Sequence, residues 1–394
     1  MKRALWLASW FPNRLDPLSG DFIERHALAA SLYNEIYVIH LVKDDKGLVP
    51  GSKFREAKIF NTQCRAEIIY YKGRFKGIGW LHKMHSNILY YFYFFRAIQS
   101  FIKTEGRPDA IHVHIALKAG LMALYMKICH KIPYLVSEQW TGLCPEARPN
   151  LDDHSRIFRW LWKKVMKNAN SWSAVSRYLG DAIQKKFGLS AYRMIPNVVD
   201  TEIFYPGTNL QGLFAFIHVS TMNYQKNPQQ IFQAISILKK KTPQLFVVYL
   251  FGGISPALQA LAAELDILDR IEIRTPCPQP ELAATMRNSQ ALILYSRFET
   301  FGCVIIEANA CGIPVIVSDI PVLHENVVDG ITGVFVPLNE PTALAEKMWW
   351  IMQHHREFLA DTMISRTIQT YGYAIIGKQF ESLYQSFENS MGPK

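Results

Sequence analysis

Two glutamates with seven residues between them, Glu299 and Glu307, stand in the run Arg297-Phe298-Glu299-Thr300-Phe301-Gly302-Cys303-Val304-Ile305-Ile306-Glu307-Ala308. Each carboxylate can accept hydrogen bonds from sugar hydroxyls. Between them, Gly302 lets the main chain approach a ligand closely. Amide N–H groups at a helix start there would face anionic oxygens. Lys226, in Gln225-Lys226-Asn227, adds an ammonium. Together these groups suit one ligand that carries both hydroxyls and phosphates. Each has a plainer reading beside this one. Lys226 can be a solvated loop lysine, and Glu299 a carboxylate favoured by a helix dipole. Glu307 sits in an apolar helix, where a buried carboxylate needs partners.

The elements that must position these residues follow from the pattern around them. Ala291 to Tyr295 is an apolar run and predicts a buried strand. A turn at Glu299–Gly302, a small-residue helix and a second apolar strand at Pro314–Val317 come next. Such a β–turn–α–β unit puts its turn at the carboxyl edge of a parallel sheet, where open α/β sheets bind ligands. Lys226 follows a predicted strand, Phe214–Ser220, and precedes a helix that starts near Pro228, so it belongs to the same edge.

Strand and helix patterns alternate through the whole chain. In the first half, strands are expected at Ala4–Ala8, Ile36–His40, Ala66–Tyr71, Ala110–His114, Pro133–Ser137 and Ser173–Val175. Helices are expected at Asp21–Tyr33, Leu81–Lys103, Leu117–Cys129 and Arg177–Phe187. In the second half, strands are expected also at Phe246–Phe251, Ile271–Arg274 and Gly333–Val336, and helices at Pro228–Lys240 and Ala257–Leu265. The alternation predicts an α/β protein of two doubly wound, Rossmann-like parallel-sheet domains. The 394 residues are too many for one ordinary core. Pro206-Gly207 in Phe204-Tyr205-Pro206-Gly207-Thr208 marks the seam. The expected units are 1–205, 206–372 and a terminal helical stretch, 373–394.

Residues 1–205 hold 30 Lys and Arg against 17 Asp and Glu, a net of +13, whereas the remainder is at −3. A basic first half suits an anionic partner. No apolar stretch is long enough to cross a bilayer. Met1 to Pro12 imitates a signal peptide, but its apolar part is short and no small-residue cleavage site follows, so it reads as the first strand of a cytoplasmic protein. The six cysteines lie far apart with no C-x-x-C pair, which argues for free thiols over a zinc site or a disulfide framework.

The motif around Glu299 and Glu307 resembles the donor site of retaining glycosyltransferases of family 4, which adopt the GT-B fold. The resemblance extends to Glu325, Asp329-Gly330, Gly333, Val336-Pro337, Ile195-Pro196-Asn197 and Gln225-Lys226-Asn227, and covers close to the whole chain. It implies two domains facing across a cleft, with a C-terminal helix that crosses back onto the first. It also implies that Glu299 holds hydroxyls of the donor sugar and that Glu307 binds the ribose. Lys226 takes the diphosphate, with the N–H groups of Phe301, Gly302 and Cys303. His114, at the end of a strand, contacts the sugar, and Gly20 lies near it, although each can equally be structural. The substrate implied is a UDP- or GDP-sugar. No cofactor is implied, and with no Asp-x-Asp in the motif no metal is expected. The chain departs from the family in three places. Ser220-Thr221 stands where a Gly-Arg pair is usual, so the phosphates lose a bidentate partner unless Thr221 or another base substitutes. A single Gly20 replaces a glycine pair. Glu138 stands near a usual His, where it could position an acceptor hydroxyl or serve the fold.

Between Tyr71 and Lys103, Lys72, Arg74, Lys76 and Lys83 alternate with Phe75 and Trp80. The pattern suits an anionic membrane surface, or a core helix after a solvated basic loop. The expected function is transfer of a sugar to a glycan or lipid-linked acceptor in cell-surface polysaccharide synthesis, with the protein cytoplasmic and peripheral on the membrane. The alternatives are a sugar-nucleotide epimerase or phosphorolytic enzyme, and a non-catalytic sugar-nucleotide-binding subunit. No nucleic-acid-binding module is visible.

Overall fold

The computed structural model describes residues 1–73, 79–207 and 212–389. Arg74, Phe75 and Lys76 of the basic–aromatic stretch, the side chain of Trp80, and Thr208 of the seam lie outside the described residues.

The described strands form two sheets. The first contains β1 (Arg3–Ala8), β2 (Glu35–Lys43), β3 (Lys53–Asn61), β4 (Cys64–Tyr71), β5 (Ala110–His114), β6 (Tyr134–Glu138), β7 (Ser171–Ala174) and β8 (Arg193–Met194), in the order β3-β4-β2-β1-β5-β6-β7-β8. Its neighbours are parallel except for the β3–β4 hairpin. The second contains β9 (Phe214–Val219), β10 (Phe246–Phe251), β11 (Ile271–Arg274), β12 (Ala291–Leu294), β13 (Val315–Ser318) and β14 (Gly333–Val336), all parallel, in the order β11-β10-β9-β12-β13-β14. Strand order reverses between β1 and β5 and again between β9 and β12. Each reversal leaves a crevice at the carboxyl ends of the strands.

Central strands such as β5, β6 and β12 are buried along their whole length because helices cover both faces of a parallel sheet. In β1 the alternation divides the side chains: Leu5 and Leu7 join the core under the helix Gly79–Glu105, with Phe94, Ile98 and Phe101. Ala4, Trp6 and Ala8 face the other way, against Ile23 and Ala27 of the helix Asp21–Ser31. The C-terminal helix Tyr373–Asn389 lies on this second face, with Ile376, Phe380 and Leu383 in the same core. Its Tyr384 hydroxyl accepts from Trp6 Nε1 at 2.9 Å and meets His112 Nδ1 at 2.7 Å. The last helix thus crosses back onto the first sheet.

The second-domain helices Gln279–Arg287, Pro341–His354 and Ala360–Tyr371 add to those expected, and three first-domain elements differ from expectation. β3 is an edge strand whose charged residues (Lys53, Arg55, Glu56, Lys58) interrupt any apolar run, and its pairing with β4 rests on a turn rather than on a buried face. β8 has two residues, both exposed, too few to show a period. The helix Arg156–Asn168 buries only Trp162, Val165 and Met166, a narrow stripe among many cations. All six cysteines are free thiols. Among the described residues no helix is long and apolar enough to cross a membrane.

Candidate active site

A cavity of about 500 Å³ opens between the two sheets at the carboxyl edge of β9 and β10. Its second-domain wall is built from Val219, Ser220 and Thr221 after β9, Phe251 and Gly252 at the end of β10, and Cys303, Val304 and Glu307. The first domain contributes Leu18, Asp21, Phe22 and Arg25. Gly252 is required there. Its φ is 130°, and a Cβ would lie 1.6 Å from the Ser220 carbonyl oxygen. Only glycine lets the β9 and β10 loops meet this closely.

The helix Cys303–Ala310 starts at Gly302, in the left-handed region at φ 87° and ψ 64°. Asn326 Nδ2 holds the Phe301 carbonyl at 2.6 Å, and the Phe301 ring packs edge-on against Tyr371. The turn is therefore fixed from behind. The N–H groups of Cys303 and Val304 open the helix, where no earlier carbonyl of the helix can take them, and both residues face the cavity. The Cys303 sulfur accepts from Asn197 Nδ2 at 3.1 Å, which ties the Pro196-Asn197 stretch to the helix start. Burial pushes this thiol up to about 12, so it stays protonated.

Glu299 is buried and ion-paired with Lys226 through Oε1. Lys226 closes a short turn, Tyr224–Lys226, in which the Asn223 side chain accepts from the Lys226 N–H at 3.2 Å. Gln225 Nε2 donates to the Phe298 carbonyl at 3.0 Å and to Glu299 Oε2 at 3.4 Å. The two loops that the sequence places at one sheet edge are thus stitched to each other. The ammonium lines the cavity with Thr221 beside it.

Glu307 is held from the other domain. Arg25 Nη1 donates to Glu307 Oε1 at 2.8 Å, and Arg25 Nη2 donates to Asp21 Oδ2 at 3.0 Å. Gln279 Nε2 closes the chain on Asp21 Oδ2 at 2.7 Å. The Arg25 and Glu307 side chains are 6% and 5% exposed, so the pair is desolvated. Burial opposes the guanidinium's charge, but the two carboxylates outweigh it and raise its pKa. For Glu307, burial is the larger effect and lifts the carboxyl above its ordinary range despite Arg25. Glu325, also in the second domain, accepts from the N–H groups of Arg177 and Tyr178 at 2.8 and 2.7 Å, at the start of the helix Arg177–Phe187. It is a cap supplied across the domain boundary.

Not all of the expected residues meet at the cavity. Thr221, Lys226, Cys303 and Glu307 line it, and Glu299 reaches it through Lys226. Phe301 and Gly302 shape the turn behind it. Gly20 caps the helix Asp21–Ser31 at φ 66°, and a Cβ there would lie 2.6 Å from the Trp10 carbonyl carbon, so the loop's close packing requires it. His114 is buried, with its ring stacked on Trp6 at 4.0 Å and close to His112. Among the described residues neither of its nitrogens has a hydrogen-bond partner, and burial holds its pKa well below the usual value. Glu138 is wholly buried. Its oxygens accept from the Ala116 N–H at 3.1 Å and the Trp140 N–H at 3.4 Å, and burial raises its pKa to about 7. Sequence reasoning passed over Arg25, Gly252, Cys277 and Gln279, which also line the cavity. A glycine directly after a predicted parallel strand was a readable signal for Gly252. Arg25 carries no pattern of its own.

A sequence model described as "Glycosyl transferases group 1" matches residues 203–367, and one described as "Glycosyltransferase Family 4" matches residues 59–203. The chain belongs to the group 1 glycosyltransferases. The D-inositol 3-phosphate glycosyltransferase of Paenarthrobacter aurescens is 29% identical over 270 residues. That match covers 62% of this chain and 64% of the relative, so the chain spans a little under two thirds of the relative's length. Among solved structures, a sucrose-phosphate synthase from Thermosynechococcus elongatus overlays with a TM-score of 0.77 at 18% identity, covering 99% of this chain and 100% of that one. The Anabaena protein HepE, solved with UDP and glucose, overlays with a TM-score of 0.72 at 16% identity, covering 98% and 100%. These likenesses are of fold: two Rossmann-like sheets facing across a cleft, the GT-B arrangement of this group 1 glycosyltransferase.

Proposed function

We propose that this protein transfers a sugar from a nucleoside diphosphate to a glycan or lipid-linked acceptor of cell-surface polysaccharide synthesis, with retention at the anomeric carbon. The observation that carries this reading is the convergence of Lys226, the Cys303–Val304 helix start and the two glutamates on one interdomain cavity. In the reaction the bond between the anomeric carbon and the diphosphate oxygen breaks as the acceptor oxygen bonds to that carbon. The acceptor's proton passes to the leaving phosphate oxygen on the same face. Lys226 and the helix N-terminus meet the charge that develops there, the demand that usually dominates such a step. Glu299 holds sugar hydroxyls and Glu307 the ribose. His114 is left to support the sugar subsite from below, and no metal ion is among the parts.

HepE was solved with UDP-glucose, which makes UDP-sugars the first donors to try. In a thermal-shift screen of UDP-, GDP- and ADP-sugars, one nucleotide raises the melting temperature. With that donor, Glu299→Ala and Glu307→Ala each lower turnover by about 10²-fold or more. Undiminished turnover in either variant would remove that residue from the site, and product of inverted configuration would remove the retaining mechanism.

The acceptor side of the same reading is an anionic membrane surface. On the helix Gly79–Glu105, Met84, Ile88 and Phe92 are exposed at successive turns. The helix Arg156–Asn168 exposes Ile157 and Trp160 among Arg156, Arg159, Lys163, Lys164 and Lys167, with no acid. The helix Ala119–His130 lies between the two and touches both. Rings at headgroup level with cations around them match an anionic bilayer. The protein should float with liposomes that contain anionic lipid at low salt, and not with neutral ones. Failure to float with anionic lipid discards the membrane.

A further inference from the structure

The cavity is short of positive charge. A diphosphate carries more than one negative charge, and among the described residues the basic side chains that line the cavity are Lys226 and Arg25. The charge of Lys226 is already met by Glu299. Thr221, on the wall where the resemblance expects a guanidinium, offers a hydroxyl only.

Arg25 has capacity left over. A guanidinium presents five N–H donors in a fixed fork. Its hydrogen bonds use one from each terminal nitrogen, to Glu307 and Asp21, and among the described residues its buried Nε–H has no partner. An unpaired donor buried to this extent is costly unless something fills it. The residue lies one turn into the helix Asp21–Ser31, and long helical side chains lean toward the N-terminus. Here the N-terminus faces the cavity, as the lining by Asp21 and Phe22 shows.

We propose that Arg25, reaching across from the first domain, is the second cation of the diphosphate site. This rests on the donor reading above. In this structure the guanidinium is held on Glu307. A ribose that takes the Glu307 carboxylate with its hydroxyls releases the Nη1 donors, and the fork turns to the phosphate oxygens. Binding the donor then exchanges one interdomain contact for another and draws the first domain onto the diphosphate. The bidentate partner missing at position 221 is thereby supplied from the facing wall.

The test compares affinities for UDP and UMP, or for the matching pair of whichever nucleotide the screen selects. The wild type binds the diphosphate more tightly. Arg25→Gln cuts that preference by about tenfold or more, the scale of a charge-assisted bond to phosphate, while the monophosphate affinity shifts by less than about threefold. Arg25→Gln leaves Glu307 buried without its cation, so Arg25→Lys serves where that variant does not fold. Lysine keeps a charge opposite Glu307 but loses the fork, and the preference falls as well. Adding Thr221→Arg to either variant restores it. If the wild type prefers the diphosphate and both Arg25 variants keep the full preference, the role of Arg25 is wrong and the donor reading stands. Equal losses for monophosphate and diphosphate reduce Arg25 to a domain latch and overturn its phosphate role. A wild type that binds no nucleoside diphosphate overturns both readings.

Discussion

A buried carboxylate takes its meaning from what holds it, and the three glutamates of the cleft region are held in three ways. Glu299 has an ammonium, Glu307 a guanidinium, and Glu138 uncharged donors, chiefly backbone N–H groups. The first two line or adjoin a cavity that can admit a ligand. Glu138 instead clamps the loops that follow β5 and β6. Glu138→Gln therefore places an amide NH2 against a backbone donor. It should cost about 1–3 kcal/mol of stability in urea denaturation, with the acceptor KM unchanged. A raised KM at unchanged stability would return Glu138 to the acceptor site.

The elements carry the site by where they start and end. β9, β10 and β12 deliver their loops to one edge, and helices begin there at Asn227 and Gly302, both in the left-handed region that turns the chain sharply. The C-terminal helix has a different task. Tyr384 ties it to β1 and β5 through Trp6 and His112, and the chain continues from His112 to Ser137 Oγ at 2.8 Å and on to Ser173 Oγ at 2.6 Å. Tyr384→Phe leaves a buried indole N–H and an imidazole nitrogen unpaired. The expected loss is about 1–3 kcal/mol, read as a lower urea midpoint. Nucleotide affinity should not change, because none of the residues of this network lines the cavity. A fall in affinity at unchanged stability would mean that the helix governs the cleft directly.

At the scale of the whole molecule, buried histidines set the response to pH. Burial lowers His26, His40 and His218 to about 4, against an ordinary value of 6.5, and holds His112 and His114 well below it. Between those values the unfolded chain binds more protons than the folded one, so stability falls as pH falls. At pH 5 each of the first three costs about 2 kcal/mol relative to neutral pH. Glu138 works in the opposite sense. Its folded value near 7 lies above the ordinary 4.5, so acidification across that window favours the folded state. Burial also raises Glu24, Glu67 and Glu307, which act in the same sense as Glu138; the five imidazoles outweigh these carboxyls, and the urea midpoint should drop from pH 7.5 to pH 5. A midpoint that holds or rises would mean that these rings are solvated or already charged in the folded protein.

Much of this architecture is legible in the chain itself. Apolar runs of four to six residues, as in β10, β12 and β14, register as strands because buried parallel strands tolerate little else on either face. Gly302 and the Glu–x7–Glu spacing mark the turn and helix at the cavity. These are local features, set by the conformations and burial of neighbouring residues. Who stands opposite whom is not local. Arg25 lies 282 residues from Glu307, and only the docking of one domain against the other brings them to 2.8 Å. Docking also brings Glu325 to the first-domain helix that it caps, whereas packing within one domain pairs Lys226 with Glu299 and stacks His114 on Trp6. A helix or strand period specifies which face is buried; which side chain waits on the far side of that face is decided by the packing of the folded whole.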